Sequence, residues 1–249
     1  MSQSNDDGSP FVDRYRSGQY LDNHPDWHLE DAPGKALDIL PSLLAAVDRL
    51  GRSTVRLADV GAGVGGVIHE TAKQLAVARP ELDVQAVGYE IAEPAVLRGR
   101  ELFPDVQLRN KAFEREDGPF DIVTFNDVLE HLEDPWDMLR VAASTSRFMV
   151  VRQPLIANFS TFRHRAYREQ REHWGHIAYF SFDSFLDMAW ATGWAPIDER
   201  LTPAWELHTG KSRRGILAGW LTRIDRRWAS FFTSGFYLLA AFERRTASD

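Results

Sequence analysis

The stretch Asp59-Val60-Gly61-Ala62-Gly63-Val64-Gly65-Gly66 constrains this chain more than any other feature. It follows a short apolar run, Val55 to Val60, and precedes a helical pattern from Val67 to Ala78. Glycines in such a joint permit positive φ and let the backbone approach a ligand closely. The flanking chain repeats the same unit. Strands are predicted at Val84–Tyr89, Val106–Leu108, Phe120–Phe125 and Arg147–Val151, with helices at Ala95–Phe103 and Pro135–Ala143 between them. Before the loop, apolar residues recur at helical spacing from Pro33 to Leu50. Gly51 stops that helix, and Pro41 either kinks it or opens its firm part. Later come a helix at Ser181–Thr192 and strands at Ala195–Leu201 and Tyr237–Phe242. Short buried strands alternating with helices predict an α/β doubly wound, Rossmann-like sheet with helices on both faces and ligands at the strand C-termini.

A chain of 249 residues holds one large domain of this kind. Residues 1–32 are expected as a disordered tail and an N-terminal lid. Residues 33–249 are expected as the domain, with insertions at about 154–180 and 203–232. A net charge of −7 argues against nucleic acid as the main partner. The absence of cysteine excludes disulfides, thiolate catalysis and thiolate-held zinc. No apolar run is long enough for a membrane span, and Met1–Pro10 lacks the pattern of a signal peptide, so a cytoplasmic protein is expected.

The glycine loop satisfies two patterns. Gly61, Gly63 and Gly66 fit a dinucleotide fingerprint, whereas Asp59, Gly61, Gly63 and Gly65 fit an acid-plus-three-glycines loop. Asp59 would oppose a pyrophosphate but suits the cationic amino-acid end of a sulfonium cofactor. About fifty residues, including a helix, precede the loop, whereas dinucleotide domains commonly open on the first strand. A further strand, turn and helix follow at Asp121-Ile122-Val123-Thr124-Phe125-Asn126-Asp127-Val128-Leu129-Glu130-His131.

On these residues the chain resembles the class I S-adenosylmethionine-dependent methyltransferases, from about Val55 to Val151. The pieces Ser17–Leu21, Trp27–Asp31 and Gly175–Phe180 are similar to a bacterial subgroup that modifies saccharides or secondary metabolites. The resemblance implies a seven-stranded sheet with six parallel strands and an antiparallel last one. It implies S-adenosylmethionine as cofactor, held by Asp59, Gly61, Gly63, Glu90, Ile91, Phe113, Asn126 and Asp127. Glu90 ends the second strand, where the family places the acid that holds the ribose hydroxyls. Many members carry an Asp after the third strand for the adenine amine. Here that place is Ala112, which leaves backbone groups or the ring of Phe113 for the adenine.

Two histidines are candidates for catalysis. His131 lies just beyond the fourth strand and His176 follows Gly175 in the first insertion. An imidazole near its ordinary pKa of about 6.5 accepts a proton at neutral pH. The bland alternative for His131 is a hydrogen bond to Glu133 or Asp134. His164, His173 and His176 lack metal-ligand spacing, and no metal is expected. Arg163, Arg165, Arg168 and Arg171 are either a site for an anionic handle on the acceptor or a solvated helix face. The bland alternative for Trp205, Trp220 and Trp228 is packing of the second insertion onto the sheet. The expected reaction is methyl transfer to oxygen or nitrogen of a small polar acceptor. A nicotinamide oxidoreductase and a noncatalytic S-adenosylmethionine-binding partner protein are the alternatives.

Overall fold

The computed structural model describes residues 29–208 and 215–246. The expected tail and most of the expected lid, including Ser17–Leu21, Trp27 and His28, lie outside the described residues. Helix α1 (Ala32–Leu50) leads into strand β1 (Thr54–Val60), α2 (Gly66–Ala78), β2 (Asp83–Glu90), α3 (Glu93–Leu102), β3 (Gln107–Asn110) and β4 (Phe120–Asn126). Then come α4 (Pro135–Thr145), β5 (Ser146–Leu155), α5 (Phe182–Ala191), β6 (Trp194–Pro203), α6 (Ile216–Ile224), α7 (Arg226–Phe232) and β7 (Phe236–Arg244). The seven strands form one sheet in the order β3-β2-β1-β4-β5-β7-β6. Only β7 runs against its neighbours, pairing antiparallel with β5 and β6. The expected doubly wound sheet, with six parallel strands and an antiparallel last one, is the observed architecture.

Period-two alternation places the core on both faces. Ala58, Val123, Met149, Val151 and Phe242 face one cluster, with Leu139, Phe185 and Met188 from α4 and α5. Leu57, Ile122, Phe148, Val150 and Ala241 face the other, with Ile39, Leu43 and Val47 from α1 and Leu75 from α2. Such burial on both sides is what a mostly parallel sheet requires. Helix α1 runs unbroken through Pro41, which is exposed. Gly51 ends α1 in the left-handed region at φ 62°, its N–H donating to Val47 O. Strand β5 is longer than its apolar run suggested. Beyond Arg152 it has lost β4 as a neighbour but stays paired to β7 through Leu155, and Pro154 is tolerated there.

Strand order reverses between β1 and β4. Their C-terminal ends, with that of β2, therefore open a crevice at the topological switch point. After β5 the chain makes a one-turn helix, Phe159–Arg163, and a helical stretch, Tyr167–Trp174, before α5. Between β6 and β7, α6 and α7 expose Ile216, Leu217, Trp220, Ile224, Trp228 and Phe231. Trp205 packs against Phe236, whereas Trp220 and Trp228 are each 59% exposed, so the packing reading fits Trp205 alone. Among the described residues, no helix is long and apolar enough to cross a membrane.

Candidate active site

The glycine loop is tied to the end of β2: the N–H groups of Gly61 and Ala62 both donate to Tyr89 O, at 2.9 and 3.0 Å. Gly61 and Gly63 adopt φ of 70° and 56°, in the left-handed region. A Cβ on Gly61 would also lie 2.8 Å from Val128 Cγ2, so one or the other would have to shift to admit it. Gly65 N-caps α2, whose first N–H groups thus point into the crevice.

Glu90 ends β2 with its side chain beneath the loop. One carboxylate oxygen accepts from Gly63 N at 2.9 Å and the other from Ala92 N at 2.8 Å. Burial raises its pKa while these backbone donors oppose the shift. Asn110, at the end of β3, donates to Glu90 O and holds the two strand ends together. Ile91 is half-buried beside Glu90. Phe113 is buried edge-on against Tyr89, with ring centroids 4.9 Å apart, and it also neighbours Phe120. Asp59, at the end of β1, accepts from Thr124 Oγ1 at 2.6 Å and Asn126 Nδ2 at 3.0 Å. Burial pushes its carboxyl up to about 6 despite both donors. Asn126 Oδ1 is buried and has no hydrogen-bond partner. The residues singled out in the sequence for a cofactor thus converge at three adjacent strand ends.

Past Asn126 the chain turns sharply, with Asp127 at φ 57°. Burial alone would raise the Asp127 carboxyl, but Arg152 and Lys35 override it and hold the group well below the usual carboxylate range. Both Asp127 oxygens accept from Arg152 Nη1, and Lys35 Nζ lies 2.9 Å away. Arg152 also reaches Asp38 and lies over the Tyr237 ring, 4.3 Å from its centroid. Asp127 opens a cavity of about 540 Å³ whose walls include Leu155, Ile156, Trp174, Phe236 and Tyr237. Glu130, His131 and His176 line the same cavity.

Glu130 is fully buried. Its Oε2 accepts from Gln153 Nε2 at 3.1 Å, while Oε1 has no hydrogen-bond partner. Burial, and then the charge of Asp127, push its carboxyl up to about 8. His131 Nδ1 lies 3.1 Å from Gly175 O. A carbonyl only accepts, so Nδ1 carries the proton and Nε2 is the basic nitrogen. His176 Nδ1 lies 3.1 Å from Gln170 Oε1, and burial followed by the charge of His131 pushes its pKa down to about 3. The two rings meet edge to face at 4.9 Å.

The structure therefore unites His131 and His176, 45 residues apart in the chain, and adds Lys35, Arg152, Glu130 and Gln153. A signal for two of these was available: Arg152 and Gln153 interrupt the apolar run of β5, and polar groups inside a buried strand need polar partners. Glu130 stood within the quoted segment without a role. Arg163, Arg165, Arg168 and Arg171 are exposed, none lines the cavity, and Arg168 pairs with Glu172. Lys35 and Arg152 are the cations at the site instead.

A family model described as a methyltransferase domain matches residues 28–199. The chain belongs to this methyltransferase family. That assignment excludes the nicotinamide oxidoreductase that the glycine loop had left open. A ubiquinone biosynthesis O-methyltransferase of Xanthomonas oryzae pv. oryzae is 33% identical over 123 residues, which is 47% of this chain and 50% of that protein. The chain thus spans about half the length of the curated relatives it matches. Among solved structures, magnesium protoporphyrin IX methyltransferase from Synechocystis PCC 6803, with bound S-adenosylmethionine, aligns at TM-score 0.58 and 14% identity, covering 98% of this chain and all of that one. The plantazolicin methyltransferase BpumL aligns at TM-score 0.61 and 12% identity, covering 95% and 94%. At these identities the two structures share the fold.

Proposed function

We propose that the chain transfers the methyl group of S-adenosylmethionine to a hydroxyl of a small ring-bearing acceptor. The observation that carries this reading is the cavity at Asp127, which combines aromatic and aliphatic walls with a polar end built from Glu130, His131 and His176. The curated relatives named for O-methyl transfer point to the same atom type. A secondary metabolite or saccharide fits the polar end, and the apolar walls favour a ring.

The buried polar groups fit the cofactor. Asn126 Oδ1 needs a donor and Asp59 needs a cation, and an α-amino group supplies both. Each Glu90 oxygen already accepts one backbone N–H and keeps a further lone pair, so two ribose hydroxyls can be held together. Ile91 and Phe113 flank the adenine side, with no acid at Ala112. The sulfonium supplies an activated methyl group, so the protein's task is alignment and exclusion of water. As the new C–O bond forms, the C–S bond breaks and neutral S-adenosylhomocysteine is left. The hydroxyl proton must also leave, and the Glu130–His131–His176 cluster is where the hydroxyl is activated. His131 is the better base of the two histidines, because burial makes His176 a poor proton acceptor.

The same reading keeps the enzyme in the cytoplasm and away from nucleic acid, in line with a net charge of −7. Its test is a pair of acceptors differing only in one hydroxyl. Labelled methyl should appear on the hydroxylated member, and equal labelling of both would move the acceptor atom elsewhere.

A further inference from the structure

We propose that Glu130, His131 and His176 form a divalent-cation site at the polar end of the acceptor cavity. This departs from the sequence-based expectation of no metal, which rested on His164, His173 and His176. The inference deepens the O-methyl transfer reading and rests on it for its chemical role.

Geometry carries the argument. One potential ligand atom from each of the three residues lies within 4.8 Å of the other two. Glu130 Oε1 is 4.0 Å from His131 Nε2, too far for a hydrogen bond. A fully buried carboxylate oxygen without a partner is costly, and a cation removes that cost. Both imidazoles are oriented through their other nitrogen. His131 Nδ1–H donates to Gly175 O and His176 Nδ1–H to Gln170 Oε1, which makes Nε2 the metal-binding nitrogen of each ring. Outer partners of this kind fix the tautomer and orientation of metal-ligating histidines. Gln153 does the same for Glu130 through Oε2. The two ligand-bearing segments are also pinned to each other, since Glu130 O accepts from Ile177 N at 2.8 Å and Ala178 N at 3.0 Å.

Two imidazole nitrogens and one carboxylate oxygen suit Zn²⁺, Co²⁺, Mn²⁺ or Fe²⁺. Ligands about 2.1 Å from a tetrahedral ion stand about 3.4 Å apart, so small side-chain rotations complete the site. Three protein ligands leave coordination positions open, and all three residues face the cavity. With Nε2 bound, His131 serves as a ligand in place of the base, and an acceptor hydroxyl at the ion loses its proton more readily. The proton passes to solvent, and the resulting oxyanion takes the methyl carbon as the C–S bond breaks.

The test uses the full chain, stripped with chelator, dialysed, and titrated separately with Zn²⁺, Co²⁺ and Mn²⁺ by calorimetry, with metal content by atomic emission. The expected result is one ion per chain for at least one of them. Glu130→Gln and His176→Ala should each weaken it at least tenfold, while S-adenosylhomocysteine affinity stays within about twofold and shows both variants folded. Chelation should stop methyl transfer and readdition restore it. The proposal is overturned if the stripped chain binds S-adenosylhomocysteine but none of the three ions stoichiometrically, or if both variants bind the ion as the wild type does. Undiminished transfer by the stripped chain also overturns it and leaves His131 as the base. A stoichiometric ion lost in both variants, with no transfer to any hydroxyl, upholds the site and removes the acceptor reading instead.

Discussion

Replacing Glu90 by alanine isolates the half of the site that holds the donor. The carboxylate is only 8% exposed and binds Gly63 N and Ala92 N, so the substitution acts twice. It removes the proposed acceptor for the ribose hydroxyls, worth about 1.5–3 kcal/mol for a hydrogen bond to a charged group. It also strands two backbone donors, one of them in the glycine loop. At about 1.4 kcal/mol per factor of ten, the first effect alone raises the dissociation constant for S-adenosylhomocysteine roughly 10- to 100-fold. Glu90→Gln should fare little better, because its amide N–H₂ must face either Gly63 N–H or Ala92 N–H, donor against donor. Calorimetry measures the affinity, and the melting temperature without ligand shows whether the loop has shifted. A dissociation constant within about threefold of wild type, in a variant that melts normally, would mean that the ribose is held elsewhere.

If Asp59 holds the amino-acid end of the cofactor as proposed, S-adenosylhomocysteine affinity should depend on pH. Its carboxyl, raised to about 6 in the folded chain from 3.8, favours the neutral form, so its contribution to ligand-free stability is full below pH 3.8 and is lost as pH rises to about 6. The cationic end of the ligand requires the charged form. Affinity should therefore rise between pH 5 and 7, and Asp59→Asn should flatten that rise; an unchanged slope in the variant would remove Asp59 from the amino-acid end. Arg152→Ala strips Asp127 and Asp38 of their buried guanidinium and should cost about 3–5 kcal/mol in urea unfolding. A loss below about 1 kcal/mol would show that Lys35, beside Asp127, and His208, whose Nδ1 lies 2.7 Å from Asp38 Oδ1, suffice for the two carboxylates.

The glycine loop, the alternating apolar runs and Glu90 were legible because each is local: a strand, a turn and a helix lie within a few residues of one another. The same holds for the stop at Gly51. Acceptor-side residues were legible only as isolated candidates. His131 and His176 meet because the chain after β5 returns over the end of β4, through the bonds from Ile177 and Ala178 to Glu130 O, and no short-range pattern records that. Glu130 reads as one more acid in an acidic stretch until its burial is known. The arginines at 163–171 stayed undecided in the sequence for the converse reason: charge density marks a solvated helix face as readily as a binding site, and exposure decides between them. Lys35, on a helix preceding the loop, joins the site only because α1 packs beside the strand ends.

In the proposed reaction, a donor held at Asp59 and Glu90 delivers its methyl group into the cavity at Glu130, His131 and His176. Transfer of labelled methyl from S-adenosylmethionine to a panel of hydroxylated ring compounds, by wild type and by His131→Ala, tests it most directly. Label is expected on a hydroxyl oxygen with wild type, and turnover at least 100-fold lower with His131→Ala, at unchanged S-adenosylhomocysteine affinity. Transfer that persists at the wild-type rate in His131→Ala would contradict it.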